Sequence, residues 1–388
     1  MRGRSRARRL AGAVAGAALL LTCGGGPYAS PYYGASGPPF VSPEGYSLWH
    51  RVSALGGGTP AQRLILIGDA GQSPANQETL ADVGRWSLPD RTTVVYLGDN
   101  LYPRGLGKHD ERGEAILLQQ LRATPAKKLF VPGNHDWGDP WPDAATLQRE
   151  QQFVEGFTES PARFLPEGGC PGPALETVAE PGAGLARGVV LMAIDLDWWL
   201  MDPGDRPACP GIGGESDFVN ALARALHEHA ADNVIVVAHH PLRTGGPHGG
   251  HGRSFFGRLR LDVADALGIR VQDVDADVYR HILHELKPVL AAQTPFAYAS
   301  GHDHGLQVLE GRGLAGTLIV SGAGAAGNVT TVTAIAGTLF AHASPGFVVL
   351  DFYGEGEFGD AVPGDRVMLR VIEAGRARPV FEMELPQR

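Results

Sequence analysis

Five short stretches of this chain place metal-binding side chains directly after apolar, β-branched runs. "LILIGDAGQ" carries Asp69, "VVYLGDNLY" carries Asp99 and Tyr102, and "LFVPGNHDWGD" carries Asn134, His135 and Asp136. "VIVVAHHPL" carries His239 and His240, and "AYASGHDHG" carries His302, Asp303 and His304. Carboxylate, imidazole, amide and phenol oxygen together suit hard-to-borderline ions such as iron, zinc or manganese. The donors outnumber what one ion needs. Two ions about 3.5–4 Å apart, bridged by a carboxylate, would form a clamp for in-line displacement at phosphorus. In an extended segment, side chains two residues apart share a face, so His302 and His304 are expected to point together and Asp303 away. Taken singly each stretch is weak: a Gly-Asp pair at a strand end is usually a turn, and Asn and Asp both cap helices well. Their number and common placement argue for a site.

The elements that must hold these residues are legible as short strands: "RLILIG", "TTVVYLG", "KKLFVPG", "RGVVLMAID", "NVIVVAHH", "FAYASG", "TLIVSG", "GFVVLDF", "RVMLRVIE" and "PVFEMEL". Helical segments are expected over 110–124, 216–232 and 277–293, with Pro288 kinking or ending the last. Strands alternate with helices early and follow one another late. The pattern predicts an α/β domain whose sheets become mixed toward the C-terminus. In open α/β sheets, ligands bind at the carboxyl ends of strands, so the five tips would converge on one crevice. The Gly-rich and then charged stretch 245–275 reads as an insertion.

The first residues look like an export signal rather than part of the fold. "MRGRSRARR" is basic, and "LAGAVAGAALLLT" is an apolar run of thirteen residues, too short to span a bilayer comfortably. Cys23 follows, and the arrangement resembles a bacterial lipoprotein signal in which that cysteine is lipidated; plain secretion is the alternative. The expected organisation is a signal over 1–22, a Gly/Pro/Ser/Tyr-rich tether over 23–58 and a single catalytic domain over 59–388. Localisation would be exported, anchored to the cell envelope by lipid or else periplasmic or secreted. Residues 1–22 hold five arginines and no acid, so their removal moves the formal charge from −9 to −14. A mature protein this acidic has no overall electrostatic pull toward nucleic acid. Cys170 and Cys209, both in loop-like surroundings, remain as a pair in an oxidising compartment, where a disulfide is the natural reading and two free thiols the alternative.

The ordered set GD-x-G, GD-x-x-Y, GNHD, H-x-P and GH-x-H resembles the metallophosphoesterase (calcineurin-like) superfamily. More narrowly it is similar to the purple acid phosphatases of the tartrate-resistant type. Other branches usually begin with D-x-H; here Gly71 takes that histidine's place, and Tyr102 supplies a ligand those branches lack. "HHPLRTGGPHG" resembles the segment in which a substrate-facing histidine lies nine residues beyond the ligand histidine, which is His248 here. The resemblance covers about residues 63–307 and implies two mixed β-sheets packed as a sandwich flanked by helices. It implies that Asp69, Tyr102 and His304 bind Fe(III), that Asn134, His239 and His302 bind a divalent Fe, Zn or Mn, and that Asp99 bridges both. It further implies in-line attack of a metal-bound hydroxide on a small phosphate monoester. His135 and the second ion would hold the phosphoryl oxygens, and His248 or His135 would protonate the leaving group. A phosphodiesterase, nucleotidase or pyrophosphatase on the same site is the first alternative, and a non-catalytic surface binding protein the second. Beside these, Asp195 and Asp197 read as structural, and His251 and Arg253 as neighbours of the substrate.

Overall fold

The computed structural model describes residues 38–53, 58–138, 142–251, 273–274, 276–355 and 364–386. Residues 1–22, read above as an export signal, and Cys23 and Arg253 lie outside the described residues. Parallel strands buried on both faces read as continuous apolar runs rather than alternating ones. That is how the first long strand behaves: in β2 (Gln62–Ile67), Leu64 and Leu66 point into one core while Ile65 and Ile67 point into another. The same alternation holds in β3 (Thr92–Leu97), where Val95 and Leu97 face the first core and Val94 and Tyr96 the second. Each such side chain contributes about 1.5–3 kcal/mol by leaving water.

The strands form two mixed sheets. In the first, β2, β3, β4 (Lys127–Val131) and β5 (Ala162–Phe164) are parallel. Strands β13 (Gly346–Tyr353), β14 (Arg366–Glu373) and β15 (Phe381–Leu385) extend it antiparallel from β2. In the second, β7 (Val189–Ala193), β8 (Asn233–Val237), β9 (Ala297–Ser300) and β11 (Thr317–Ser321) are parallel neighbours. Antiparallel strands complete it: β6 (Ala174–Ala179) on one side, and β10 (Leu306–Glu310), β12 (Thr338–His342) and β1 (Phe40–Val41) on the other. The central core joins the sheets face to face, with Leu66, Val95 and Leu350 from the first meeting Leu191, Val237 and Ile319 from the second. The expected sandwich of two mixed sheets is therefore the observed fold.

Helices cover the outer faces. On the first sheet lie α2 (Gln77–Trp86), α3 (Glu111–Arg122) and α4 (Ala144–Glu155), while α5 (Asp197–Leu200), α6 (Glu215–Glu228) and α7 (Asp277–Ala292) cover the second. Helix α3 begins after Asp110, whose Oδ1 accepts the Gly113 N–H. Helix α7 runs on through Pro288 to Ala292, so that proline does not end it. Within the stretch read as a tether, residues 40–53 form β1 and α1 (Pro43–Ser53), which pack on the sandwich edge. Ser42 caps α1 by accepting the Gly45 N–H, and Trp49 meets Phe381 edge-on at 5.8 Å. Cys170 and Cys209 are joined in a disulfide that closes a separation of 39 residues. Among the described residues no helix is long and apolar enough to cross a membrane.

Candidate metal centre

The carboxyl ends of β2, β3 and β4 in one sheet and of β8 and β9 in the other meet at one pole of the sandwich. Main-chain bonds tie neighbouring tips together: Asp69 N–H donates to the Gly98 carbonyl at 2.9 Å, and Gly301 N–H to the His239 carbonyl at 3.0 Å. Three of the residues at these tips hold left-handed backbone, with φ of 59° at Asp69, 52° at Asp99 and 67° at His302. Such conformations cost on the order of 1 kcal/mol or more each and persist where surrounding structure over-determines them.

The side chains fall into two groups of three. In one, the Tyr102 hydroxyl lies 3.0 Å from Asp69 Oδ1 and 3.3 Å from His304 Nε2, which is 3.2 Å from Asp69 Oδ1. In the other, Asn134 Oδ1 lies 3.0 Å from His239 Nε2 and 3.2 Å from His302 Nδ1, and those two nitrogens are 3.1 Å apart. Asp99 reaches both: Oδ2 accepts the Tyr102 hydroxyl at 2.9 Å, and Oδ1 lies 3.4 Å from His239 Nε2. Asp69, Asp99 and His239 alone bring three buried ligand atoms within 4.8 Å of one another.

Whether these residues fit cations is decided by their hydrogen bonds. His239 Nδ1–H donates to the Leu97 carbonyl at 2.8 Å, so its Nε2 turns a lone pair toward Asn134 Oδ1, itself an acceptor. His304 Nδ1–H donates to the Asn328 carbonyl at 2.7 Å, which turns its Nε2 lone pair toward Asp69 in the same way. Lone pairs facing lone pairs in a buried place call for a proton or a cation between them. The electrostatics say the same. Burial works against an imidazolium, yet Asp99 and Asp69 push His239 up to about 10. His304 is likewise raised against its burial, chiefly by Asp69. Burial and the same two carboxylates push the Tyr102 phenol well up, while Asp99, despite burial, is held well below the usual carboxylate range by His239 and His135. The cluster attracts positive charge and fits metal ions.

The bend after β9 corrects one expectation. His302 to His304 are not extended; His302 is left-handed, and the two rings reach different groups through different nitrogens. Asp303 does turn away, toward Thr244. Around the donors, His135 gives its main-chain N–H to Asp99 Oδ1 at 3.0 Å, and its Nδ1–H to the Pro103 carbonyl at 2.7 Å. His248 lies with its ring 4.0 Å from the His302 ring, and its Nδ1 is 2.9 Å from Asp273 Oδ1. His240 is fully buried, with its ring 4.5 Å from that of His302. Asp195 accepts the Trp137 indole N–H at 2.8 Å, bracing the loop after β4 from the opposite sheet. Asp136 likewise faces inward, accepting from Gly133, Leu101 and Asn100. Asp273 and Thr244 are absent from the sequence-based candidates: Asp273 lies in no motif, Thr244 lies within the His239–Gly249 stretch but not at a position that stretch singles out, and their partners lie 25 and 59 residues away.

Comparison with known proteins places this arrangement. A search of curated proteins found no match. Among solved structures, GAP50, described as the anchor in the inner membrane complex of Plasmodium, superposes with a TM-score of 0.59 at 16% identity, over 84% of this chain and 89% of that one. The purple acid phosphatase PPD1 from yellow lupin (Lupinus luteus) seeds gives 0.51 at 12% identity, over 84% of this chain and 55% of that one. At these identities both show a shared fold. The family model for calcineurin-like phosphoesterases matches residues 62–305, the span that supplies every donor described above. The chain belongs to the calcineurin-like phosphoesterase family, whose members are metal-dependent hydrolases of phosphoesters.

Proposed function

We propose that this protein is a dinuclear acid phosphatase of the purple acid phosphatase type, acting on small phosphate monoesters. Asp69, Tyr102 and His304 would hold Fe(III), Asn134, His239 and His302 a divalent iron, zinc or manganese, and Asp99 would span both. The observation that carries this reading is the division of seven donors into two groups of three that share Asp99. Gly71 favours the tyrosine-bearing branch. A Cβ there would lie 2.5 Å from the Asn100 carbonyl carbon and the Leu101 nitrogen, so a histidine at this position would displace the backbone that carries Tyr102 inward.

When bound, such a pair of ions supplies acidity to water and positive charge for a phosphoryl group. The chain's own residues do the rest. His135 Nδ1 is engaged with Pro103, which leaves Nε2, when it carries a proton, to donate to a phosphoryl oxygen. His248 Nδ1–H donates to Asp273, which fixes the ring's orientation, and Nε2, when it also carries a proton, would deliver that proton to the departing oxygen. Asp99 is held on one side by the His135 N–H and on the other by the Tyr102 hydroxyl, which places one carboxylate oxygen beside each group of donors.

The test is hydrolysis of p-nitrophenyl phosphate from pH 4 to 8 by residues 24–388 loaded with iron and zinc, beside Asp99→Asn. Turnover that is lost in the variant supports the reading; near-normal turnover in the variant refutes the spanning role. Turnover of bis-p-nitrophenyl phosphate, nucleotides or pyrophosphate instead would move the assignment to another phosphoester class. A non-catalytic role, such as the anchoring described for GAP50, makes no use of converging donors, and it would show as absent turnover in a protein holding both metals. We further propose that residues 1–22 direct export and that Cys23 is lipidated, which the mass of the mature N-terminus checks.

A further inference from the structure

His248 reaches the site on a loop, residues 241–251, that leaves the end of β8 just after His239. That loop is built on one hydroxyl. Thr244, 3% exposed, donates from Oγ1 to Asp303 Oδ2 at 2.5 Å. The same oxygen accepts from Gln307 Nε2 at 2.9 Å and from the Gly246 N–H at 3.1 Å. A hydroxyl has one proton and two lone pairs, and all three are in use, so its partners set its orientation. The Gln307 carbonyl oxygen accepts the Gly245 N–H at 2.8 Å, which ties the loop to β10 a second time. Gly246 runs so close to Asp303 that a Cβ there would meet Oδ1 at 2.2 Å. Two residues on, the short helical turn Pro247–Gly249 presents His248, and the Gly249 N–H closes back on the Gly246 carbonyl. Asp303 itself stands between His302 and His304. Its main chain continues the bend that bears both imidazoles, while its carboxylate holds Thr244.

We infer that Thr244 is a positioning residue for His248: its hydroxyl, gripped by Asp303 and Gln307, sets the distance between the His248 imidazole and the bend carrying His302 and His304. This rests on the reading of His248 as the imidazole that faces the phosphate. Thr244→Val keeps the shape of the side chain but removes all three hydrogen bonds and leaves Asp303 Oδ2 without this donor in the interior. An unmade buried bond costs more than the net worth of a made one.

The experiment compares Thr244→Val and Thr244→Ser in the metal-loaded protein, each in wild-type and His248→Ala backgrounds. It has two readouts: amide hydrogen exchange across 245–251 and steady-state hydrolysis of p-nitrophenyl phosphate. In Thr244→Val, exchange at Gly245, Gly246 and Gly249 should rise about tenfold, the size of one lost net hydrogen bond, with exchange elsewhere and metal content unchanged. Its kcat should fall about 10- to 100-fold with KM within about threefold, the scale of an ångström-level misplacement. Thr244→Ser should stay within about threefold of wild type, and in the His248→Ala background Thr244→Val should add less than about twofold. Unchanged loop exchange, an equal kcat loss in both backgrounds, or serine failing as valine does would each overturn the inference. If Thr244→Val does not fold, Gln307→Met removes the second grip and should move both readouts the same way; no movement would overturn it. A wild-type protein without turnover on any ester would sink the phosphatase reading, while the exchange data would still decide what Thr244 holds.

Discussion

Tyr102→Phe removes one oxygen and leaves the ring in place, which makes it the sharpest perturbation of this centre. The lost hydroxyl sits 3.0 Å from Asp69 Oδ1, 2.9 Å from Asp99 Oδ2 and 3.3 Å from His304 Nε2. Asp69 is fully buried and Asp99 is 1% exposed, so neither can turn to water for a replacement donor. A hydrogen bond to a charged group is worth about 1.5–3 kcal/mol net, and here one donor serves two carboxylates. Chelator-treated Tyr102→Phe should therefore unfold in urea about 2–3 kcal/mol more easily than chelator-treated wild type. With iron bound, the same change should abolish the visible phenolate-to-iron absorption. Urea titration and an absorption spectrum of iron-loaded protein measure the two effects. An iron-loaded variant that keeps its colour would refute Tyr102 as a ligand. A chelated variant as stable as wild type would refute the hydroxyl's bridging of the two carboxylates.

Two further outcomes concern the fold. On the outer face of the first sheet, fully buried Asp351 accepts from Arg63 Nε at 2.5 Å and Nη2 at 2.8 Å, and also pairs with Arg370. Asp351→Ala would leave two guanidinium groups short of their partner and should cost about 3–5 kcal/mol in urea unfolding; a loss under about 1 kcal/mol would contradict this. Burial pulls the Lys128 ammonium down to about 8, with Glu159 opposing. The folded chain then binds fewer protons than the unfolded one between about pH 8 and 10.5, so stability should rise with pH across that window and carry the full penalty below it. A shift of that size is worth about 3 kcal/mol at most, so the rise should lie between about 1 and 3 kcal/mol, and it should vanish in Lys128→Met.

Much of this protein is determined locally and so is legible in its sequence. A strand buried on both faces must be apolar throughout, and β2, β3, β8, β9 and β13 announce themselves that way. Polar side chains that follow such runs are found at strand ends, which is why Asp69, Asp99, Asn134, His239 and His302 can be named as candidates from their place in the chain alone. Weaker signals were lost: β5 has three residues and β10 carries polar Gln307 and Glu310, too short or too mixed for a period to show. Helix α1 hid inside a Gly- and Pro-rich stretch although Ser42 and Pro43 mark its start. What the tertiary structure alone decided is pairing. Nothing local says that His302 joins Asn134 through Nδ1 while His304 joins Tyr102 through Nε2, or that Asp273 and Thr244 stand behind His248 and Asp303. Periodicity encodes the face a side chain shows to its own backbone. Which groups meet across the gap between two sheets depends on how those sheets pack, and that is settled by the whole core together.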